Sequence, residues 1–176
     1  MVNENLRGSR KMNHVVLDTN VVIDLFHVEY VKAITQLLKN RQNIIVCDTV
    51  LEEASRKLKL RPTTIKTKLE KTFGKRFNYF NKTREIMNYG VYLLNKYNTI
   101  VHKPDNLIIA IAKKQNADLI TNDYNIQICC RNEKINWIDH RHTKLKDNKK
   151  IRIEKSLGNH ITKSKLKKHS EDYYLR

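Results

Sequence analysis

Four short apolar runs, each closed by a polar stop and separated by stretches of helical spacing, leave this chain few ways to fold. His14-Val15-Val16-Leu17 stops at Asp18-Thr19-Asn20, and the run from Asn43 to Cys47 stops at Asp48-Thr49. Asp118-Leu119-Ile120-Thr121 stops at Asn122-Asp123, and Ile135-Asn136-Trp137-Ile138 ends the series. Continuous apolar runs of this length read as strands of a parallel sheet buried on both faces. Between them, apolar residues recur at helical spacing: Val31, Ile34, Leu37 and Leu38 in a stretch reaching about Lys39, then Leu51, Ala54 and Leu58. The same holds for Ile86, Tyr89 or Gly90, Leu93 and Leu94 within residues 84–97, and for Ile108, Ile109, Ile111 and Ala112 after Pro104-Asp105. Proline and an acid both suit the exposed amides of a helix start. Strands alternating with helices predict an α/β fold: a three-layer α/β/α domain with a short parallel sheet, spanning residues 13–139. Residues 1–12 read as an N-terminal extension and residues 140–176 as a basic tail. The site of such a domain lies beyond the carboxyl ends of the strands, near the point where strand order reverses.

Charge narrows the partners. The chain carries a formal net charge of +17, and such an excess costs the compact state self-repulsion unless an anion offsets it. Residues 55–84, read as a basic insert, hold eleven Lys or Arg against the single Glu70. The tail holds twelve against Asp147, Glu154, Glu171 and Asp172. Nucleic acid is the expected partner, because Lys and Arg on phosphates release condensed counterions. Arg56, Lys57, Lys59, Arg61, Lys75 and Arg76 are the candidate RNA contacts. Phe73, Phe77, Tyr79 and Phe80 lie among them and read equally as rings stacking on unpaired bases or as core residues. A membrane partner is not expected, since no segment has the length and apolarity to span one. Three cysteines, Cys47, Cys129 and Cys130, form no Cys-x-x-Cys pair and read as reduced, which suits an intracellular, cytoplasmic setting. His140 and His142 flank Arg141 in the tail and read as solvated or RNA-contacting. Ser9, Ser55 and Cys47 lack a convincing base partner, and no glycine-rich phosphate loop is present, which sets aside covalent and nucleotide-binding chemistries.

Four carboxylates fall where this architecture directs residues to one edge. Asp18 closes the first strand, Glu53 lies about one turn into the helix after the second, Asp105 opens a helix, and Asp123 follows the strand through Ile120. Like charges brought together raise one another's pKa unless something neutralises them. Magnesium or manganese does so, because hard cations take oxygen ligands, and bound metal activates water for attack on a phosphodiester. Taken singly, Asp18 could cap a helix, Asp105 could serve a helix start, and Asp123 could shape a turn. Glu52 reads as the solvated neighbour of Glu53; Asp24, Asp48 and Asp118 read as capping or turn residues, with Asp24 near enough to Asp18 to assist it.

These residues carry a family resemblance. Val15-Val16-Leu17-Asp18-Thr19-Asn20 resembles the opening motif of PIN domains, and Val50-Leu51-Glu52-Glu53 is similar to their second acidic motif. Asp105-x-x-Ile108-x-Ala110-x-Ala112 resembles the third, and Leu119-Ile120-Thr121-Asn122-Asp123 the fourth, in family order over about residues 13–139. The resemblance implies a magnesium- or manganese-dependent endoribonuclease with Asp18, Glu53, Asp105 and Asp123 as metal-binding acids and Asn20 and Thr121 orienting them. It also implies either a toxin held by an antitoxin partner or an enzyme of RNA processing, often paired as a homodimer. The basic insert and tail depart from compact toxins of the family. Two alternatives stand beside the nuclease: a PIN-like RNA-binding scaffold, and a basic interaction protein bound by an acidic, antitoxin-like partner.

Overall fold

The computed structural model describes residues 13–141. The predicted N-terminal extension and the tail beyond Arg141 lie outside the described residues. The chain order is β1 (His14–Leu17), α1 (Thr19–Asp24), α2 (Val28–Leu37), β2 (Asn43–Cys47), α3 (Asp48–Leu58), α4 (Pro62–Phe73), β3 (Phe77–Phe80), α5 (Arg84–Lys96), α6 (Asp105–Lys114), β4 (Asp118–Ile120), α7 (Tyr124–Asn132) and β5 (Trp137–Ile138). All strand pairs are parallel, in the order β3-β2-β1-β4-β5. Val15, Val16 and Leu17 of β1, Ile44 to Cys47 of β2 and all of β4 are buried. Successive strand residues point to opposite faces, so burial of every one means that both faces are covered. Helix α1 packs on α3 and α3 on α4, while α6 packs on α5, α7, β1 and β4. This is the α/β architecture expected, with its strand order reversing between β1 and β4.

Three local expectations change. The helical stretch to Lys39 is two helices, broken at Leu25–His27, with Ile34 and Leu38 buried and Leu37 only partly so. Residues 55–84 are built into the sheet: after α4 and the 3-10 turn Gly74–Arg76, Phe77–Phe80 pairs with Ile44–Cys47 as edge strand β3. Phe73 is buried and Phe77 and Phe80 pack on the core, which assigns those rings to packing, whereas Tyr79 is exposed beneath Lys66 Nζ. His140 is buried, with Nε2 2.6 Å from Asp24 Oδ2 and the Tyr30 ring edge-on to it. The polar look of its neighbours hid this inward position, and it removes Asp24 from the set of residues free to assist Asp18.

Two contacts brace the side of the domain that carries Asp105. Glu133, just past α7, is buried and accepts hydrogen bonds from Tyr89 Oη (2.6 Å), Tyr97 Oη (2.7 Å) and Lys96 Nζ (2.8 Å), which ties α5 to the end of α7. Burial alone would raise this carboxyl, but the donors outweigh it and bring it down to about 2. Gly90 settles the ambiguity at 89–90. A Cβ there would stand 2.9 Å from both Asn106 Nδ2 and Leu107 Cδ2, so α5 approaches α6 across this glycine. Gly90→Val is therefore expected to lose about 1–3 kcal/mol through overpacking. Gly90→Ala should stay nearer neutral, because alanine recovers about 1 kcal/mol of helix propensity and meets only side-chain ends. Urea unfolding of both variants measures this, and wild-type stability in Gly90→Val would refute the close approach.

Candidate active site

The strand switch point sets the site. Asp18 N donates to Ile120 O (3.1 Å), which joins the carboxyl ends of β1 and β4. Asp18 is buried and both its oxygens are held: Oδ1 accepts from Thr19 N (2.6 Å) and Oδ2 from Thr121 Oγ1 (2.8 Å). The buried Thr121 hydroxyl also accepts from Asp123 N (3.0 Å), so one side chain orients two acids. Asp123 caps α7, its Oδ1 accepting from Asn125 N (2.8 Å) and Ile126 N (3.1 Å). The turn-shaping alternative for this residue thus takes the form of a helix cap, and the same residue also lines the cavity described below.

Glu53 arrives from α3 on the neighbouring strand's side. Its Oε2 accepts from Thr19 Oγ1 (2.8 Å) and its Oε1 from Lys57 Nζ (2.8 Å). Asp105, half-buried at the first turn of α6, completes the set. Together with Thr19, Asn20, Lys57 and Ile126, the four acids line a cavity of about 140 Å³. A larger, open depression of about 520 Å³ runs along α4, but threonines and lysines alone line it, so the acid chemistry belongs to the smaller one. Glu52 is exposed, as expected. Asp48 bonds Thr49 N and pairs with Lys82, while Asp118 pairs with Arg41 at 2.6 Å, and none of these lines the cavity.

The electrostatics follow from burial and crowding. Burial, followed by Asp123 and Glu53, pushes Asp18 up to about 6 against its two hydrogen bonds. Burial and then the charges of Asp18, Asp123 and Glu53 push Asp105 up to about 7. Glu53 is held below its ordinary value: burial raises it, but Lys57 and Thr19 prevail. Among the described residues no three His, Cys, Asp or Glu side chains close into a tight ligand cage. The four acids instead line a small cavity together with Thr19 and Asn20, an oxygen-rich donor set of the kind a hard cation would take along with retained waters.

The candidate RNA contacts separate. Arg56, Lys59, Arg61 and Lys75 are exposed. Arg76 Nη1 donates to the carbonyls of Leu38 (2.7 Å), Lys39 (3.1 Å) and Arg41 (3.3 Å), so its charge secures the end of α2. Lys57 lies in the cavity on Glu53. Sequence reasoning missed Thr19, which serves two acids at once. Its signal was present in Asp18-Thr19-Asn20: a hydroxyl directly after a strand-ending acid, at the first turn of a helix.

With this geometry in place, comparison with known proteins is decisive. Residues 15–131 match the family model of the PIN domain. The chain belongs to the PIN-domain family. Solved structures share the fold of this PIN domain. VapBC2 from Rickettsia felis, bound to a DNA fragment from their promoter, is 20% identical, covering 71% of this chain and 97% of its own at a TM-score of 0.53. VapBC-1 from nontypeable Haemophilus influenzae is 19% identical, covering 73% and 98%, at 0.53. FitAcB from Neisseria gonorrhoeae is 14% identical, covering 73% and 99%, at 0.54. A comparison with curated proteins gives no match.

The raised carboxyls of this PIN domain make a stability prediction with a definite sign. Asp18 and Asp105 have folded-state values above their unfolded ones, so the folded state binds more protons. Their contribution is fully present below about pH 4 and is lost as pH rises through about 6 and 7. Without divalent ions, Asp105→Asn should be more stable than wild type at pH 8 by about 1–2 kcal/mol, a figure discounted for solvent screening. The gap should close toward pH 4. Thermal unfolding of both proteins across pH measures this, and a pH-independent difference would show that crowding of acids is not its cause.

Proposed function

We propose that this PIN-domain protein is a magnesium- or manganese-dependent endoribonuclease, acting either as a toxin or in RNA processing. The observation that carries the reading is the convergence of Asp18, Glu53, Asp105 and Asp123 on one small cavity at the strand switch point. Asp18, Glu53, Asp105 and Asp123 would hold the ion, which when bound supplies Lewis acidity toward a phosphodiester and lowers the pKa of a water. The chain's own part is positioning. Thr121 fixes Asp18 and the Asp123 backbone, and Thr19 fixes Asp18 and Glu53, so the acids keep their places whatever enters. Asn20 lines the same space and would help orient the acids. Exposed Arg56, Lys59, Arg61 and Lys75 would bear on the phosphates of the same strand of RNA.

The net charge of +17 favours a polyanion, and RNA is proposed over DNA on family grounds, since the motifs position a phosphate and do not read a sugar. Single-stranded or looped regions are the proposed targets, since bases can leave the stack only there. The VapBC and FitAcB neighbours support a protein partner of antitoxin type, whose acidity would complement this surface. The reducing cytoplasm is the proposed setting; Cys47, Cys129 and Cys130 are all free and buried.

The test is cleavage of end-labelled small RNA and ribosomal RNA by the purified protein in magnesium or manganese. EDTA and Asp18→Asn serve as controls. Discrete products are expected, lost in EDTA and reduced by roughly 100-fold or more in the variant, as befits removal of a metal-binding acid. RNA binding without metal-dependent cutting, across several RNAs, would overturn the nuclease in favour of an RNA-binding scaffold.

A further inference from the structure

We infer that Lys57 is a displaceable counterion: its ammonium neutralises Glu53 in the resting site, yields that oxygen to the entering divalent ion, and then holds the phosphate of the substrate. The inference rests on the proposed metal site and assigns this lysine its part in it.

The geometry is specific. Both oxygens of Glu53 are engaged, Oε2 by the Thr19 hydroxyl at 2.8 Å and Oε1 by Lys57 Nζ at 2.8 Å. The two engagements differ in permanence. Thr19 belongs to the buried frame that also fixes Asp18, whereas the Lys57 side chain is half exposed and sits one turn along α3 from its partner. Exposed ion pairs at this spacing are worth little, so Lys57 gives way cheaply. Lys57 holds the oxygen that a divalent ion at Glu53 Oε1 would need, and like-charge repulsion would favour withdrawal of the ammonium from it.

The lysine also balances charge that the acids alone cannot. Lys57 is the cationic side chain lining the cavity among the described residues, facing Asp18, Glu53, Asp105 and Asp123. Its field reaches Asp105, where it opposes the upward push of the other acids. The resting site therefore carries a positive charge of its own against Glu53. Once displaced, the ammonium would remain tethered to α3 at the edge of the cavity it lines. A phosphate drawn to the acids through their ion would meet it there, and lysine is suited to that role as a compact point charge on a flexible stem.

The experiment measures manganese binding directly, by the electron paramagnetic resonance signal of free Mn2+ with full-length wild type, Lys57→Gln, Lys57→Arg and Asp18→Asn. Lys57→Gln should bind Mn2+ about three- to fivefold more tightly than wild type, the size expected from removing one partly solvated charge near the ligands. Lys57→Arg, which keeps the charge, should bind within twofold of wild type. At saturating Mn2+, RNA cleavage by Lys57→Gln should show KM raised about fivefold with kcat little changed, the loss expected for one phosphate contact. Unchanged or weaker Mn2+ binding in Lys57→Gln, with wild-type binding intact, would overturn the counterion role while leaving the metal site standing. Tighter Mn2+ binding with an unchanged KM would overturn the phosphate step. Wild type binding no more Mn2+ than Asp18→Asn would bring down the metal site, and this inference with it.

Discussion

The hydroxyl of Thr121 stands between two acids that would otherwise drift apart, donating to Asp18 and accepting from the Asp123 amide. It can do so because β1 and β4 are neighbours in a parallel sheet whose order reverses between them, so both strands deliver their ends to one edge. Everything else in the site is arranged around this bridge. Thr19 extends it to Glu53, and α6 brings Asp105 in from the other side because a helix leading into β4 must begin at the edge where β4 ends. The glycine contact at Gly90 and the Glu133 knot matter to function for the same reason, since they hold the α5–α6–α7 side of the domain on which Asp105 and Asp123 depend.

Much of this was legible in the sequence, and the reason is periodicity. Val15 to Leu17, Ile44 to Cys47 and Leu119 to Ile120 are buried on both faces and therefore uninterrupted by polar residues, which made strand ends visible and with them the placement of Asp18 and Asp123. Glu53 over Glu52 was legible from the family-like pattern, in which the acid precedes a small residue, here Ala54; in the structure Glu52 is exposed and Glu53 lines the cavity. Other features lay beyond local pattern. Strand β3 has only partly buried or exposed residues, Phe77-Asn78-Tyr79-Phe80, and an edge strand so basic in its surroundings gives no apolar run to detect. His140 lies 116 residues from Asp24, and no periodicity links such a pair. Arg76 looked like a phosphate contact because charge is local while its partners, the carbonyls at the end of α2, are 35 to 38 residues away.

The basic charge is divided among tasks, and composition cannot show the division. Arg76 and Arg41 serve the domain, one on carbonyls and one on buried Asp118. Lys96 serves Glu133, and Lys82 serves Asp48. Arg56, Lys59, Arg61 and Lys75 stay on the surface, clustered at the end of α3 and before β3. The excess charge is thus partly an internal counterweight to buried acids and partly a surface field, and only the second kind can steer a polyanion.

Two acids of this one domain, Glu133 and Asp105, show how environment decides purpose. Glu133 receives two tyrosine hydroxyls and a lysine, and those donors drive it down to about 2 despite burial, so its charge is already satisfied by the protein. Asp105 has burial and three acidic neighbours acting on it, which drive it up to about 7. A structural carboxylate acquires donors; one placed among other carboxylates is left dependent on something from outside. The domain had the means to satisfy Asp105 as it satisfied Glu133, since lysines abound in the sequence, yet among the described residues the one cation lining the cavity is Lys57, half exposed and paired with Glu53. Such an arrangement costs stability while the acids stand unneutralised, and a cation bound there would offset that cost by mass action, which is the physical basis of the metal site proposed above.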